Sequence, residues 1–165
     1  MTNQTDPRIH LYELVTKFRT AMLVTRTPGD ELRARPLSLA PAHDEGLLYF
    51  ATSLASPKVD EVMVHPEVLV TMQDSQRYVS IAGAARICRE PALIDRLWSE
   101  SWRIWFPEGK ADPALCILAV APRSAEYWDQ SGAKGIKYLV EMASAYVRGT
   151  TPASGGSSDN AKVRF

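Results

Sequence analysis

The chain has 165 residues, 45% of them hydrophobic, which is enough apolar material for one folded domain and excludes global disorder. Nineteen Lys and Arg balance nineteen Asp and Glu, so no overall field draws the chain to nucleic acid or to an anionic membrane surface. No apolar run reaches the roughly 18 residues of a membrane span, and the opening MTNQTDPRIH lacks the basic-then-apolar pattern of a secretory signal.

In chain order, RIHLYELVTKF (8–18) sets Ile9, Leu11, Leu14, Val15 and Phe18 at helical spacing, with Asp6 as cap and Pro7 in the first turn. AMLVTRT (21–27) is β-rich, and Pro28-Gly29-Asp30 is a turn into a second strand, ELRARPLSLA (31–40). Pro36 inside that strand predicts an edge or a bulge, because proline cannot donate to a ladder. HDEG turns into LLYFAT (47–52), a third strand, and residues 57–64 form a short helix with Val59, Val62 and Met63 on one face, stopped by His65-Pro66. EVLVTMQD (67–74) and YVSIAGAARICR (78–89) are two further strands; Gly83 falls on the apolar side of the second, as a bulge or a close approach. Pro91 opens a helix running to about Trp102. A loop with Pro107, Gly109 and Pro113 leads into the buried strand LCILAVAP (115–122), which Ala125 to Trp128 extends. Residues 135–147 suit a C-terminal helix with Gly149 as its cap. TTPASGGSSDN (150–160) is linker, and AKVRF is either disordered or a last short strand. The organisation is one domain, 1–149, and a Gly/Ser-rich tail, 150–165. About six strands in adjacent pairs with short turns favour antiparallel pairing: a mainly β fold, a six-stranded antiparallel split barrel with helices outside.

Three features bear on chemistry. In FATSLASPKVDEV (50–62), Thr52, Ser53 and Ser56 crowd the mouth of a helix that starts at Pro57 and carries Lys58. Hydroxyls, a lysine and the positive end of a helix suit a phosphate; the same residues also make an ordinary capped helix with a solvated lysine. Arg35, beside Pro36, is either a second anion ligand, since guanidinium matches phosphate bidentately, or a rim arginine. Trp98, Trp102 and Trp105 fall at i, i+4 and i+7 on one helical face, which makes either a core stripe or a wall for a flat aromatic ligand. Cys88 and Cys116 are 28 apart, with no CxxC, and His10, His43 and His65 have no metal-ligand spacing; a metal site is not expected, and a reducing cytoplasm is the default. No GxSxG, HExxH, P-loop or GxGxxG is present.

The stretches ARPLSL (34–39), YFATSLASPKVDEV (49–62), HPEVLVTMQD (65–74), YVSIAGAARI (78–87), LWSESWRIWFPEGKADP (97–113) and LAVAPRSAEYWD (118–129) resemble the FMN-binding split barrels related to pyridoxamine 5′-phosphate oxidase, in their general stress protein branch. The resemblance implies a cytoplasmic homodimer with FMN, or FAD, at the subunit interface. It implies phosphate contacts from Ser56 and Lys58 with Arg35 converging, and Ala51, Thr52 and Ser53 along the ribityl chain and ring edge. The backbone of Pro36, Leu37 and Ser38 would face the isoalloxazine, with Trp105 and Phe106 closing the site from the partner chain. The Arg-x-His substrate pair of the oxidase is missing: the matching end reads EYWDQSGAKGIKYL, which speaks against vitamin B6 synthesis. The implied function is a flavin-dependent oxidoreductase of undefined substrate; the alternative is a non-catalytic flavin carrier or stress sensor. A haem-binding barrel would need an axial histidine, and His65 is the one candidate near these motifs.

Overall fold

A computed structural model describes residues 6–40, 46–131 and 159–165. Helix α1 (Pro7–Val15) begins where Asp6 accepts from the Arg8 amide (2.9 Å) and ends three residues before the expected Phe18. Its buried side is Leu11, Leu14 and Val15, while Ile9, expected on that side, is exposed. The remaining elements are β1 (Thr20–Arg26), β2 (Leu32–Ser38), β3 (Leu48–Ser53), α2 (Pro57–Val64), β4 (Glu67–Gln73), β5 (Arg77–Cys88), α3 (Pro91–Leu97), two 3-10 turns (Glu100–Ile104 and Gly109–Ala111), β6 (Leu115–Asp129) and β7 (Asp159–Arg164).

The strands run in the order β2-β1-β4-β5-β6-β3, every pair antiparallel, with β7 added to the second half of β6. The described residues therefore contain seven strands rather than six. The two ends of the path, β2 and β3, meet at a single bridge, Leu39 to Phe50, and not along a ladder. The sheet is curled and open, which is a split-barrel arrangement. Pro36 is tolerated because β2 is an edge: its one ladder partner is β1, with Pro36 opposite Met22 and no register shift. The expected helix 135–147, its Gly149 cap and most of the 150–160 linker lie outside the described residues, as does most of the HDEG turn. The last two residues assigned to the linker, Asp159 and Asn160, already belong to β7.

Two apolar clusters hold the fold. Leu23, Phe50, Val70, Leu118 and Val120 fill the barrel interior with no measurable exposure. Tyr49, Cys88, Ile117 and Ala119 point the other way and bury Ile94 and Leu97 of α3 together with Trp102 and Phe106. The second cluster fixes the α3-to-β6 connection against β3, and so builds one wall of the site.

β5 and β6 cross at a bulge where Gly83 faces Pro122 and the register shifts between Ala82 and Gly83. Both sequence expectations for Gly83 hold there: it is a bulge, and a Cβ on it would lie 2.3 Å from the Ala121 carbonyl oxygen. The same bulge accommodates Pro122 within a strand, so that Leu115–Asp129 is one element.

Both cysteines are free and buried, on opposite sides of the sheet. Burial raises the Cys116 thiol to about 11 and raises Cys88 as well. A thiol raised in this way is protonated at pH 8 and is not a nucleophile. Neither should react with a thiol reagent at pH 8 in the native protein, and both should react after denaturation. Fast stoichiometric labelling of the native protein would contradict this burial.

Candidate functional site

Helix α2 decides between the two readings of the SLASPK stretch. A simply capped helix would turn the Ser56 hydroxyl onto a first-turn amide and leave Lys58 in water. Ser56 does stand at the N-cap, but its hydroxyl makes no capping bond, and the Val59 amide goes to the Ser56 carbonyl instead (2.9 Å). Lys58 is half-buried, and its Nζ donates to the hydroxyls of Thr52 (3.0 Å) and Ser56. Each hydroxyl oxygen accepts from the ammonium, so each O–H is left to donate outward. Among the described residues no carboxylate lies within ion-pair distance of Lys58. Burial lowers its pKa, and the nearby Arg35 charge lowers it further. This is a cation flanked by donors and short of a counter-ion.

The neighbouring backbone is already committed. The amides of Leu54, Ala55 and Ser56 bind the Ala114 carbonyl (2.8 Å), the Ser53 hydroxyl (3.2 Å) and the Ser53 carbonyl (3.0 Å). The side-chain donors of this corner are the Thr52 and Ser56 hydroxyls and the Lys58 ammonium, held by a loop wound around Ser53.

These groups open into a cavity of about 430 Å³, within the roughly 300–1,000 Å³ range of small-molecule sites. It is lined by Pro36, Leu37 and Ser38 of β2, by Ala51, Thr52 and Ser53 of β3, by Ser56 and Lys58, and by Trp102, Trp105 and Phe106. Of the eleven residues that the resemblance assigned to a cofactor, the structure brings ten to this one cavity.

The eleventh, Arg35, does not line it. β2 alternates, and Arg35 shares its inward side with Arg33 and with Leu37, which packs on the barrel core. Its guanidinium donates to Glu61 Oε2 (2.6 Å) and to the Thr25 hydroxyl, which itself donates to the same carboxylate oxygen (2.5 Å). Arg33 Nη1 stands 3.6 Å from Glu61 Oε1. Glu61 is 2% exposed. Burial alone would raise its pKa, but the bonds from Thr25 and Arg35 outweigh burial and hold it below its ordinary value. Removing one partner of a buried pair of this kind typically costs about 3–5 kcal/mol. Sequence reasoning gave Glu61 no role at the site and grouped Met63 with Val59 and Val62 on one face of α2. In the structure Met63 is 73% exposed. The available signal was the strand parity that Arg33 and Arg35 share with Leu37.

The aromatic wall also departs from expectation. α3 stops at Leu97, and the chain re-forms as a 3-10 turn over Glu100–Ile104, so Trp98, Trp102 and Trp105 share no helical face. Trp102 is buried and lines the cavity, Trp98 packs edge-on against it (5.7 Å, 81°), and Trp105 is 65% exposed at the rim. The Trp105 and Phe106 amides both bond to the Trp102 carbonyl (3.0 and 2.9 Å). Gly109 then reverses the chain at φ 74°, and Asp112 braces the return by accepting from the Ala114 amide (3.0 Å). WFPEGKADP is thus a turn scaffold that presents its aromatic rings, and Asp112 is a structural carboxylate.

Among the described residues no group of three or more His, Cys, Asp or Glu gathers to hold a metal ion, and no helix is long and apolar enough to cross a membrane.

The family model described as pyridoxamine 5′-phosphate oxidase like matches residues 6–153. General stress protein 26 of Bacillus subtilis (strain 168) is 30% identical over 125 residues, 73% of this chain and 86% of that protein. A crystal structure assigned to a general stress protein 26 of Jannaschia sp. CCS1 superposes with a TM-score of 0.74 at 25% identity, covering 95% of this chain and 98% of the other. The general stress FMN/FAD binding protein of Xanthomonas citri superposes with a TM-score of 0.66 at 25% identity, over 76% of this chain and 90% of that one.

Proposed function

Because this chain belongs to the pyridoxamine 5′-phosphate oxidase like family, we propose that its cavity holds a flavin, FMN or FAD, and that it is a general stress protein working through that cofactor. The observation that carries this reading is the Lys58–Thr52–Ser56 cluster, in which the Ser56 hydroxyl that would otherwise cap the helix, together with the Thr52 hydroxyl of β3, takes a bond from a half-buried ammonium. Lys58, Ser56 and Thr52 would hold the phosphate, and Ser53 and Ala51 would lie along the ribityl chain. The backbone of Pro36, Leu37 and Ser38 would meet the ring, with Trp102, Trp105 and Phe106 shielding it from water. A bound flavin would supply the redox chemistry, so the protein need only bind, orient and shield it. Among the described residues Lys58 is the one ionisable side chain lining the cavity, which suits that division of labour. A flavin-dependent oxidoreductase is the first reading. A non-catalytic carrier or sensor is the second, and reduction of the bound flavin by a nicotinamide donor separates the two.

A second copy of the chain would complete the site. Trp105 stands 65% exposed at the cavity rim, its chain neighbour Ile104 is 79% exposed, and Met22 and Leu69 are exposed on the outer side of β1 and β4. Apolar exposure of this kind beside an unfinished pocket suits burial in a homodimer.

Titration with FMN and with FAD, followed by tryptophan quenching, tests the reading. Saturable quenching by either is expected, with a dimer mass in sedimentation. Trp105→Ala should weaken flavin binding roughly three- to tenfold, the worth of one aromatic contact. Absence of binding by both flavins would remove the flavin reading.

A further inference from the structure

We propose that Glu61 is a positioning residue of the anion cradle: its buried carboxylate holds Arg35 back from the ligand, so that Lys58 is the contact cation and the Arg35–Glu61 pair is a neutral prop. The inference rests on the flavin-phosphate reading of the cavity, and it assigns Arg35 a role other than that of a second phosphate ligand.

Three observations carry it. Arg35 and Lys58 are close enough for the Arg35 charge to be felt at Lys58, yet Lys58 lines the cavity and Arg35 does not. Both terminal nitrogens of Arg35 are engaged away from the cavity, one on Glu61 and one on Thr25. Glu61 lies three residues after Lys58 on α2 and ties that helix to β1 through Thr25 and to β2 through Arg35. A single carboxylate therefore does two things. It allows two like charges to sit near each other, which their repulsion would otherwise oppose. It also fixes the turn bearing Ser56 and Lys58 against the strand bearing Pro36, Leu37 and Ser38, across the cavity.

The test compares affinities for FMN and for riboflavin, which differ by the phosphate. The ratio of the two dissociation constants reports the phosphate contacts and is insensitive to a general loosening of the ring site. In E61Q the guanidinium is released toward the cradle, and the ratio should rise in favour of FMN by about three- to tenfold, as expected for one added charge at partly screened distance. In the double variant R35Q/E61Q the pair is replaced by two amides that still hydrogen-bond and carry no net charge. There the ratio should stay within about threefold of wild type, since a hydrogen-bonded pair replaced by a neutral one leaves the cradle's charge unchanged. Should E61Q fold poorly, the double variant carries the test, because it leaves no unpaired buried charge. A fall in the double variant by about tenfold or more would make Arg35 a direct phosphate ligand and overturn the proposal. An unchanged ratio in folded E61Q would overturn it as well. If the wild-type protein binds neither flavin, the flavin reading falls and this inference falls with it. If it binds both and only the variants disagree, the flavin reading stands without it.

Discussion

Lys58→Ala should weaken FMN binding by about ten- to a hundredfold, the equivalent of one hydrogen bond to a charged group at roughly 1.5–3 kcal/mol, and should leave riboflavin affinity nearly untouched. The alanine removes the ammonium and also what orients the Thr52 and Ser56 hydroxyls, since both accept from Nζ. The ligand-free protein should not lose stability. Burial, followed by the Arg35 charge, depresses the Lys58 pKa below its ordinary 10.5. A cation depressed on folding disfavours the folded state while it is charged. That cost is fully present below the folded pKa and fades as pH rises through the folded value toward 10.5. Removing Lys58 removes the cost, so the melting temperature without ligand should hold or rise. A bound phosphate reverses the balance by giving the ammonium its counter-ion, so wild-type protein should gain more thermal stability from FMN than the variant does. Equal FMN and riboflavin losses, or no loss of either, would place the phosphate elsewhere.

What the sequence made legible was local. Strands β1, β3, β4 and β5 fall within a residue of expectation because each is a short β-rich run bounded by turn signals. Helix α2 matches residue for residue, because Ser56-Pro57 marks a start and His65-Pro66 a stop. The cavity lining was also legible, since ten of its eleven residues come from three short stretches, 36–38, 51–58 and 105–106. The misses are non-local or conformational. Glu61 reads as a dipole-complementing acid until β1 and β2 arrive beneath it, from 36 and 26 residues away in the chain. The Trp98, Trp102, Trp105 spacing fits an α-helix, but the chain breaks after Leu97 and re-forms with 3-10 geometry, which sends Trp102 inward and Trp105 outward. β7 was open in the sequence, where AKVRF reads as either disordered or a last short strand; its pairing needs the free edge of β6, which no local pattern in six residues announces.

That division also says where the site is fragile. The polar corner is built by local winding around Ser53, whereas the wall facing it depends on β6 being in register with both β3 and β5. Leu115 to Val120 of β6 pair with Ser53 to Leu48 of β3, and Ile117 to Val120 also pair with Cys88 to Ala85 of β5 beyond the bulge. Whatever displaces β6 at the bulge therefore displaces the strand that holds Ala51, Thr52 and Ser53.

Gly83→Ala should be the most damaging single methyl group in the described fold. A Cβ there meets the Ala121 carbonyl oxygen at 2.3 Å, its carbon at 3.0 Å and Pro122 Cα at 3.2 Å. All three are backbone, so no side chain can rotate away. Relief requires β5 and β6 to part or to change register, and a one-residue slip would turn Val79 and Ile81 out of the core. Ordinary overpacking costs about 1–3 kcal/mol; a clash with an unyielding strand should exceed about 3 kcal/mol, among the largest effects of point substitution. Gly29→Ala is the control, because a Cβ at that turn has only the Thr27 hydroxyl nearby, at 3.8 Å; its cost should stay within about 0.5 kcal/mol. Denaturant titration of the two variants reads the difference directly. Near-equal stabilities would mean that β5 and β6 do not approach closely at Gly83, and the register that positions β3 would have to be redrawn. A large loss at Gly83, with flavin affinity falling in the surviving folded fraction, would tie the cavity to a bulge on the neighbouring strand pair.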